Sequence, residues 1–572
     1  MIFEISSSIF NSILPQRILN LNLNLTNHLN ASSADHHFVL SNFNPSSSFF
    51  ANFFIGSLSL VWLVVLVHVL DQLLLPKNPT APPLVFHFFP VIGSALAYGL
   101  DPYGFLESCR RKYGNVFTFV LLKKKMTVAL GPAGNSLVLN GKLSEVNAEE
   151  AYTALTTPVF GTEVVYDCPN ALLMQQKKFI KSGLSVDNFR KYVPMIVKET
   201  SNYLDDHVFL DPASGKVIKD VFMVSSEITI LTAAATLQGR EVREALNKSF
   251  ARLYHDLDGG FTPLNFVFPN LPLPSYRRRD QAQTAMSQFY LNIIKKRRQE
   301  NRMGDEGDML DALQGQAYKD GSPLSDKAIA HIMIALLMAG QHTSAATGAW
   351  LLCHLADNPD IVADLRSEQV QVFGTPGQTD SEQELQPLDF DRLQTPLLNA
   401  CIKETLRLHP PIHSIMRKVK SPITVPQTLA SVNENTPYVI PTSHYVLAAP
   451  GVSQIDSTIW DSPHEFRPTR WFTKQGSSLT EDQGDMVDYG FGNISSGTNS
   501  PFLPFGAGRH RCIGEQFAYL QLASVVATII RRCDLKLVSE KGMPKSDYTT
   551  MLVCPKKPRD VKFINRSIQQ KS

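Results

Sequence analysis

The sequence predicts a mainly α-helical domain with small β-sheets, an α+β class, preceded by one N-terminal transmembrane helix. Helical periodicity covers most of the chain, and only short stretches such as Val116–Leu121 and residues 127–130 alternate like strands. Hydrophobic residues make up 44% of the 572 positions, enough for one large core. No Asp, Glu, Lys or Arg occurs in residues 36–70, which indicates a membrane-embedded segment.

That uncharged segment predicts an anchor at residues 49–75. Residues 49–70 would reach about 33 Å as a helix, enough to cross a hydrocarbon core; a buried core helix is the alternative. Arg17 is the only basic residue before it, whereas Lys77 and residues 110–112 follow it. The positive-inside tendency therefore predicts a lumenal extension at residues 1–48, with possible glycosylation at Asn24 and Asn30, and a cytosolic C-terminal part.

Charge and cysteine usage exclude several function classes. The net charge is +2, from 54 Lys+Arg and 52 Asp+Glu, which argues against a nucleic-acid-binding surface. The seven cysteines form no C-x-x-C pair, so zinc and thioredoxin-type chemistry are not expected. A reduced environment facing the cytosol fits this usage.

Four prolines in residues 76–84 predict a stiff hinge, and residues 85–572 are predicted to form one large domain. Within it, Ser325 is a candidate N-cap for a helix that runs through Asp357. This helix would be about 48 Å long and is expected to cross the centre of the domain. Residues 301–323 and 473–500 are polar and rich in turn-forming residues, and are predicted to be loops.

A glycine-rich loop places one cysteine directly before a helical pattern. The loop reads F-G-A-G-R-H-R-C-I-G over residues 505–514, and Cys512 is its cysteine. Glycines allow close approach of a flat ligand, and the unpaired N–H groups of a helix start favour a thiolate. Such a thiolate can be the axial ligand of a haem iron. The alternative is a buried structural cysteine beside a turn.

The predicted central helix contains a second candidate site, A-G-Q-H-T-S at residues 339–344. Glycine inside a helix costs about 1 kcal/mol relative to alanine, so Gly340 suggests that a ligand approaches the helix there. The hydroxyl of Thr343 could then hydrogen-bond dioxygen or a water that delivers protons. Helix packing at a small residue is the alternative.

A third motif, E-x-x-R, predicts a buried ionic cluster. Glu404 and Arg407 lie three residues apart and share one helix face. Arg470, in the segment F-R-P-T-R-W, could complete the cluster. Its expected role is structural, because removing one partner leaves a buried charge unpaired.

The order of these motifs resembles the cytochromes P450. Three segments further resemble one family among them, the sterol 14α-demethylases (lanosterol 14α-demethylases), especially the fungal members: residues 152–169, residues 254–266 and the histidine-bearing residues 340–344. The resemblance extends from about residue 85 to the C-terminus. His342 replaces the acid found in most cytochromes P450, and Ala507 replaces the usual second glycine of the cysteine loop.

The resemblance implies a cytochrome P450 fold and a haem b cofactor (iron protoporphyrin IX) with Cys512 as axial thiolate and metal ligand. Phe505, Gly508 and Gly514 match the haem-binding loop. Phenol and cationic donors, which suit two haem propionates, match family positions at Tyr152, Tyr166, Lys177, Arg417 and His510.

The resemblance also implies a sterol pocket and a proton relay. Positions that match the pocket lining are Phe160, Phe261, Pro263, Phe266, His342, His413, Ser414 and Met416. Mostly apolar walls suit a rigid sterol, although an ordinary core would contain the same phenylalanines. His342 would relay protons or orient the sterol, and Thr343 would assist dioxygen activation.

The implied activity is a monooxygenase of sterol biosynthesis that removes the 14α-methyl group of lanosterol or eburicol in three oxygenations and is inhibited by azoles. Dioxygen and NADPH-cytochrome P450 reductase would serve it, with cytochrome b5 as a second candidate partner, at the endoplasmic reticulum membrane with a single membrane pass. The alternatives are another membrane cytochrome P450 that hydroxylates a different sterol or lipid, and a haem-containing sterol-binding protein without turnover.

Overall fold

The computed structural model describes residues 45–210, 215–246, 248–302, 304, 306–375, 385–429, 437–472 and 497–566, without the side chains of residues 45–51, 248, 249, 251, 263 and 267. The sequons at Asn24 and Asn30 and most of the predicted loop 473–500 lie outside these ranges. Two compact units divide the chain, one ending at Val67 and one beginning at His68. The proposed boundaries of extension, anchor, hinge and catalytic domain remain predictions.

The helices of the described ranges are α1 (Pro45–Leu74), α2 (Ala95–Leu100), α3 (Pro102–Tyr113), α4 (Gly131–Leu139), α5 (Glu149–Phe160), α6 (Asn170–Gly183), α7 (Val186–Tyr203), α8 (Val221–Ala233), α9 (Arg240–Glu244), α10 (Lys248–Asp258), α11 (Pro263–Val267), α12 (Pro274–Gln299), α13 (Met309–Gln314), α14 (Asp326–Asp357), α15 (Pro359–Phe373), α16 (Phe390–Leu393), α17 (Pro396–Leu408), α18 (Pro450–Gln454) and α19 (Glu515–Arg532). Single π-helical turns at Leu204–Val208 and Ala234–Gln238 continue α7 and α8. Short 3₁₀ turns lie at Gln427–Leu429, Pro468–Phe472 and Gly508–His510.

The strands are β1 (Val116–Leu121), β2 (Lys124–Ala129), β3 (Val146–Asn147), β4 (Lys216–Asp220), β5 (Ile415–Val419), β6 (Ile423–Thr424), β7 (Val439–Ile440), β8 (Tyr445–Ala448), β9 (Cys533–Leu537), β10 (Ser546–Asp547), β11 (Cys554–Pro555) and β12 (Asp560–Asn565). A five-stranded sheet has the order β1-β2-β8-β5-β3, in which β2 and β8 are parallel and the other pairs antiparallel. A three-stranded sheet has the order β4-β12-β9, and β10-β11 and β6-β7 form two ribbons. Small sheets beside many helices confirm the predicted α+β class.

Helix α1 is the candidate membrane anchor. Its part Asn52–Leu74 has a mean hydropathy of 2.4 and is almost entirely exposed. Two other described helices, Val221–Gln238 and Asp326–Asp357, are apolar and long enough to span a membrane, but most of their residues are buried in the domain. Exposure therefore separates the anchor from two core helices of similar length and composition.

The chain after α1 is tied to the domain by backbone groups and one amide. Gln72, in the last turns of α1, donates from Nε2 to the His87 carbonyl at 2.7 Å and accepts from the His87 amide at 3.2 Å. The Val439 amide donates to the Thr80 carbonyl, and the Thr118 amide donates to the Pro83 carbonyl. Backbone hydrogen bonds to β1 and β7 therefore fix this part of the chain.

Helix α14 is the central element. Ser325 caps it as predicted, accepting from the Ala328 amide at 3.1 Å, and the helix ends at Asp357. Gly161 lets the end of α5 approach α14, because a Cβ at Gly161 (φ +101°) would lie 2.5 Å from the His331 ring. This contact brings two of the predicted site segments together.

Two local predictions were wrong. Strand β2 covers Lys124–Ala129 rather than residues 127–130, because its pairing with β1 continues to the turn. The predicted loop 301–323 contains helix α13, which the Asp308 side chain caps by accepting from the Asp311 amide at 3.0 Å. A capped helix of six residues is too short to show a clear hydrophobic period.

Candidate active site

The cysteine loop has the tight backbone that its glycines predict. Gly506 and Gly508 have φ angles of +68° and +65°, and a Cβ at Gly508 would lie 2.5 Å from the Leu139 carbonyl oxygen. The Cys512 amide donates to the Phe505 carbonyl at 3.0 Å and closes the loop. Ala507 is buried in extended backbone (φ −152°), so its methyl group fits where the family has glycine.

Cys512 is exposed on the loop, although the surrounding protein atoms desolvate its sulfur. Burial raises the pKa of the Cys512 thiol and outweighs the lowering effects of the Gly514 amide and of Lys177. The helix start expected to favour the thiolate is therefore only one contribution, and burial opposes it. A metal ion would supply the missing stabilisation of the thiolate.

Near this loop lie the five side chains that the resemblance implies as hydrogen-bond donors to the haem propionates. Lys177 donates to the carbonyls of Arg509 and Arg511 at 3.0 and 2.9 Å, and burial lowers the pKa of Lys177 to about 8. Arg417 is 3% exposed and donates to the Met416 carbonyl at 2.8 Å. Among the described residues Arg417 forms no ion pair.

The other three donors complete this group, here called the open cluster (Tyr152, Tyr166, Lys177, Arg417 and His510). Tyr152 stacks on Tyr166 with ring centroids 5.1 Å apart, and burial raises the pKa of Tyr166 to about 12. Nδ1 of His510 is buried and has no hydrogen-bond partner in the described part of the chain. Burial, with Arg417 and Lys177 nearby, lowers the pKa of His510 to about 2.

The motif around Glu404 forms a second group, here called the closed cluster (Glu404, Arg407 and Arg470). Arg407 donates to both carboxylate oxygens of Glu404, at 2.9 and 3.0 Å, and Arg470 donates to Oε1 at 2.8 Å. The Arg467 amide and the Trp471 indole complete the set at 3.0 Å. Protein groups therefore supply the hydrogen bonds to the Glu404 carboxylate, which is not exposed to solvent.

Helix α14 is more exposed at residues 339–343, where the sequence predicts a ligand groove, than in the turns on either side. Ala339 is exposed and Gly340, His342 and Thr343 are half-buried, although the turns on either side are buried. The Thr343 hydroxyl donates to the Ala339 carbonyl at 2.8 Å. A Cβ at Gly340 would lie 3.3 Å from Leu237 Cδ1, so the glycine also allows close helix packing.

His342 lies against α10. Its Nε2 is 3.2 Å from Asp258 Oδ1, outside hydrogen-bonding geometry. Its ring stacks on Tyr254 with centroids 5.2 Å apart. Burial lowers the pKa of His342, and Asp258 opposes this shift. The imidazole is therefore neutral at physiological pH, and one ring nitrogen has a lone pair that can accept a proton.

The predicted pocket residues fall into three places. The rings of Phe160 and Phe261 lie 5.5 Å apart. His413 Nδ1 lies 2.8 Å from Ser414 Oγ. The Met416 amide donates to the Tyr152 hydroxyl at 3.0 Å, which joins the pocket to the open cluster.

Phe266 and Pro263 both lie in helix α11. Phe266 is buried beneath the Lys124 ammonium group, which lies 3.6 Å from the ring centroid, so one face of this phenylalanine is occupied by a cation. The Pro263 backbone opens α11, and its side chain is outside the described set.

Comparison with known proteins agrees with this geometry. The profile described as "Cytochrome P450" matches residues 82–563. The chain belongs to the cytochrome P450 family. A cyanobacterial member, CYP120A1 with retinoic acid bound, has a TM-score of 0.68 at 20% identity and covers 86% of this chain and 100% of its own, which confirms the fold.

Relatives of this cytochrome P450 also confirm the resemblance to sterol 14α-demethylases. The lanosterol 14-alpha demethylase of Mycosarcoma maydis is 55% identical, over 86% of this chain and 90% of that relative. The eburicol 14-alpha-demethylase of Uncinula necator is 50% identical, over 87% and 93%. The haem-thiolate cofactor follows from this membership.

The donors present fit such a cofactor. A haem carries two carboxylates, and the open cluster offers two half-buried phenols, a buried guanidinium and Nδ1 of His510, which has no hydrogen-bond partner among the described residues. These are the donors that charge-assisted bonds to carboxylates require. The accessible sulfur of Cys512 and the close turn at Gly508 suit a flat macrocycle above the loop.

Sequence reasoning missed the partners of His342. Asp258 and Tyr254 both lie in α10, four residues apart and therefore on one helix face. The four-residue spacing of Tyr254 and Asp258 is the sequence signal that identifies these partners. Asn170, 3.4 Å from His510 Nε2, was also missed and carries no sequence signal that would distinguish it.

Proposed function

We propose that this cytochrome P450 removes the 14α-methyl group of a sterol such as lanosterol or eburicol in sterol biosynthesis. The methyl group is oxidised to an alcohol and then to an aldehyde, and it leaves as formate as a 14,15 double bond forms. The bound haem supplies the activation of dioxygen in each step. The residues of this chain hold that group, place the sterol and deliver protons.

Cys512 would hold the haem iron through its thiolate sulfur, on the loop that Gly508 and the Phe505 carbonyl hold in place. The open cluster would hold the two carboxylates of the haem, and Arg417 would contribute a buried guanidinium that has no ion-pair partner among the described residues. Phe505, Gly508 and Gly514 would shape the loop against which the haem binds.

Protons reach the site through Asp258 and His342. Asp258 is about half exposed, whereas His342 Nε2 is buried. The Asp258 carboxylate can therefore take a proton from solvent, and a small rotation of either side chain aligns it with Nε2, 3.2 Å away, for transfer. Thr343, one residue further along α14, holds a hydroxyl at the groove beside Gly340 and positions dioxygen or a water there.

The sterol lies against Phe160 and Phe261, with Ser414, His413 and Met416 at another wall and Phe266 behind. Burial lowers the pKa of His413 to about 4, so this histidine is a neutral hydrogen-bonding group at physiological pH. Neutral walls with few polar groups suit a sterol that carries a single hydroxyl.

Electrons come from NADPH-cytochrome P450 reductase, with cytochrome b5 as a second donor, since the sequence has no nucleotide-binding fingerprint. Helix α1 anchors the protein in the endoplasmic reticulum membrane as a single pass, with the catalytic part in the cytosol. This topology rests on the exposed apolar surface of Asn52–Leu74 and on the basic residues that follow it.

The observation that carries the proposal is the identity of 46–55% with sterol demethylases over most of the chain, together with a histidine on α14 that contacts a carboxylate. The test is reconstitution with reductase, NADPH and lanosterol or eburicol, followed by chromatography of the sterols. Demethylated product and formate are expected. Cys512→Ala, which removes the sulfur from the loop, is the matched inactive control.

The two alternatives give different outcomes in the same assay. Another lipid-hydroxylating cytochrome P450 would return hydroxylated sterol without formate, or would oxidise a different lipid. A sterol-binding protein without turnover would shift its haem spectrum with sterol but consume no NADPH.

A further inference from the structure

The His342 imidazole packs against an aromatic ring and lies beside a carboxylate. Tyr254 is buried, and its ring stacks on the imidazole at a centroid distance of 5.2 Å and an angle of 26°. Because an aromatic pair favours one relative placement of the two rings, Tyr254 limits the rotation of His342 about its side-chain bonds. The stacked placement is the one that faces Asp258.

Tyr254 is itself fixed by a buried amide. Its hydroxyl donates to Gln341 Oε1 at 2.7 Å, and Gln341 Nε2 donates to the Ser226 carbonyl at 3.3 Å. Gln341 directly precedes His342 on α14 and is buried. Burial, with Asp258 and Tyr290 nearby, raises the pKa of Tyr254 well above its usual range, so its hydroxyl remains a donor.

Neither residue can reach the reacting atoms by this geometry, because the Tyr254 hydroxyl and the Gln341 amide are used in bonds to each other and to α8. Both bonds cost free energy to leave unmade in a buried site. Their arrangement fixes the plane of the Tyr254 ring and hence the surface on which His342 rests.

We propose that Tyr254 and Gln341 are positioning residues. They hold the His342 imidazole beside Asp258, in the orientation that proton delivery needs. This inference rests on the relay role of His342 given under the proposed function. Tyr254 acts through its ring, and Gln341 acts by fixing that ring.

The test measures His342 directly, by diethyl pyrocarbonate modification of the haem-loaded protein at neutral pH and mass spectrometry of the His342 peptide. Tyr254→Leu frees the imidazole and raises its modification rate roughly two- to tenfold, the range that an aromatic pair contributes to an equilibrium. Tyr254→Phe keeps the ring and gives a smaller rise. Gln341→Met gives the same rise as Tyr254→Phe, and combining the two adds nothing further.

Tyr192 is the matched control. It is a buried tyrosine on α7 whose hydroxyl donates to the Gly183 carbonyl at 3.5 Å, and its ring contacts Phe189 and Phe517 rather than His342. Tyr192→Leu and Tyr192→Phe are expected to leave the rate at His342 unchanged. Equal rates at His342 in Tyr254→Leu and Tyr192→Leu would overturn the proposal.

The second readout separates positioning from sterol binding. Tyr254→Leu is expected to lower the sterol product formed per NADPH consumed, with the lost electrons appearing as hydrogen peroxide and the KM for sterol unchanged. A loss that appears only as a higher KM would assign Tyr254 to the pocket instead and overturn the inference. If the leucine variant fails to fold, Gln341→Met carries the test, because it leaves the Tyr254 ring in place.

Failure of the proposed function is distinguishable from failure of this inference. Wild-type protein that makes no demethylated sterol would refute the function. The modification rates at His342 would still report whether Tyr254 holds the ring.

Discussion

The closed cluster and the open cluster are both rich in cationic groups, but their burial and their hydrogen bonds differ. The closed cluster is buried, whereas in the open cluster Arg417 is buried and the other four side chains are half-buried. In the closed cluster the Glu404 carboxylate accepts from two guanidinium groups, a backbone amide and an indole. In the open cluster Arg417 donates to one carbonyl, and within the described ranges His510 Nδ1 has no hydrogen-bond partner. A buried charge that the protein satisfies itself is structural, whereas one that it leaves unsatisfied is prepared for a ligand of opposite charge.

The largest effect is expected in the closed cluster. Glu404→Ala leaves Arg407 and Arg470 buried without their carboxylate, which should cost about 3–5 kcal/mol of unfolding free energy. Denaturant unfolding followed by circular dichroism measures this loss. Glu244→Ala is the control, because Glu244 pairs with Arg240 on the exposed surface, and should cost less than about 1 kcal/mol. Similar losses in both variants would contradict the structural role.

In the open cluster the same kind of change should have opposite effects on the empty and the loaded protein. Arg417→Met removes an unpaired buried charge, so the haem-depleted protein should be as stable as wild type or more so. The loaded protein loses a charge-assisted bond of about 1.5–3 kcal/mol, so haem should dissociate roughly 10- to 150-fold faster.

Haem transfer to apomyoglobin measures that dissociation rate. Lys418→Met, the adjacent position on β5 with its ammonium over Tyr445, should leave the rate unchanged. Loss of stability in the haem-depleted Arg417→Met protein would show that the open cluster is structural after all.

The third expectation concerns pH. His510 has a folded pKa of about 2, lowered by burial and by neighbouring cations, whereas the unfolded chain protonates near 6.5. The unfolded state therefore binds more protons between these values, so stability is full above about pH 6.5 and falls as the pH decreases. The slope is about 1.4 kcal/mol per pH unit for one histidine. His510→Asn should remove this slope in the haem-depleted protein.

Haem binding should then change the pH dependence of stability that comes from His510 but not the part that comes from His354. Bound carboxylates favour the imidazolium form of His510, so haem should remove its contribution to the slope. His354, beside Arg407, has a pKa lowered to about 3 by burial, and its contribution should persist in the loaded protein. Urea unfolding of His510→Asn and His354→Asn with and without haem measures both, and identical behaviour would contradict the comparison.

The smallest effect is expected at Ala507, in the loop that carries His510. Its methyl group is buried and its backbone is extended, so Ala507→Gly should lose about 1 kcal/mol through lost burial and added chain entropy. The reduced carbon monoxide spectrum should stay that of a thiolate-ligated haem. A changed spectrum would mean that the alanine alters the geometry at Cys512.

Much of the fold and of the candidate site could be predicted from local sequence. The cysteine loop, the Ser325 cap, the strand Val116–Leu121 and the Glu404–Arg407 pair each depend on residues close together in the chain. Short spacing encodes them, because turns, caps and shared helix faces need only a few neighbouring residues.

The rest depends on contacts between distant segments. Asp258 meets His342 across 84 residues (342 − 258) through the packing of α10 on α14, and Phe266 meets Lys124 of the β1–β2 hairpin. The raised pKa of the Cys512 thiol likewise reflects burial by the whole fold rather than its helix start. Tertiary packing decides such partners, and single-chain patterns do not record it.

The pairing of Gln72 with the His87 backbone bears on how a soluble form should be cut. Removing everything before the prolines deletes the amide that satisfies both backbone groups of His87, a residue only 5% exposed. A cut at the boundary of the second compact unit, at His68, removes most of the exposed apolar surface of α1 and retains that amide. Crystallisation and solution studies of the catalytic part are best begun from that longer N-terminus.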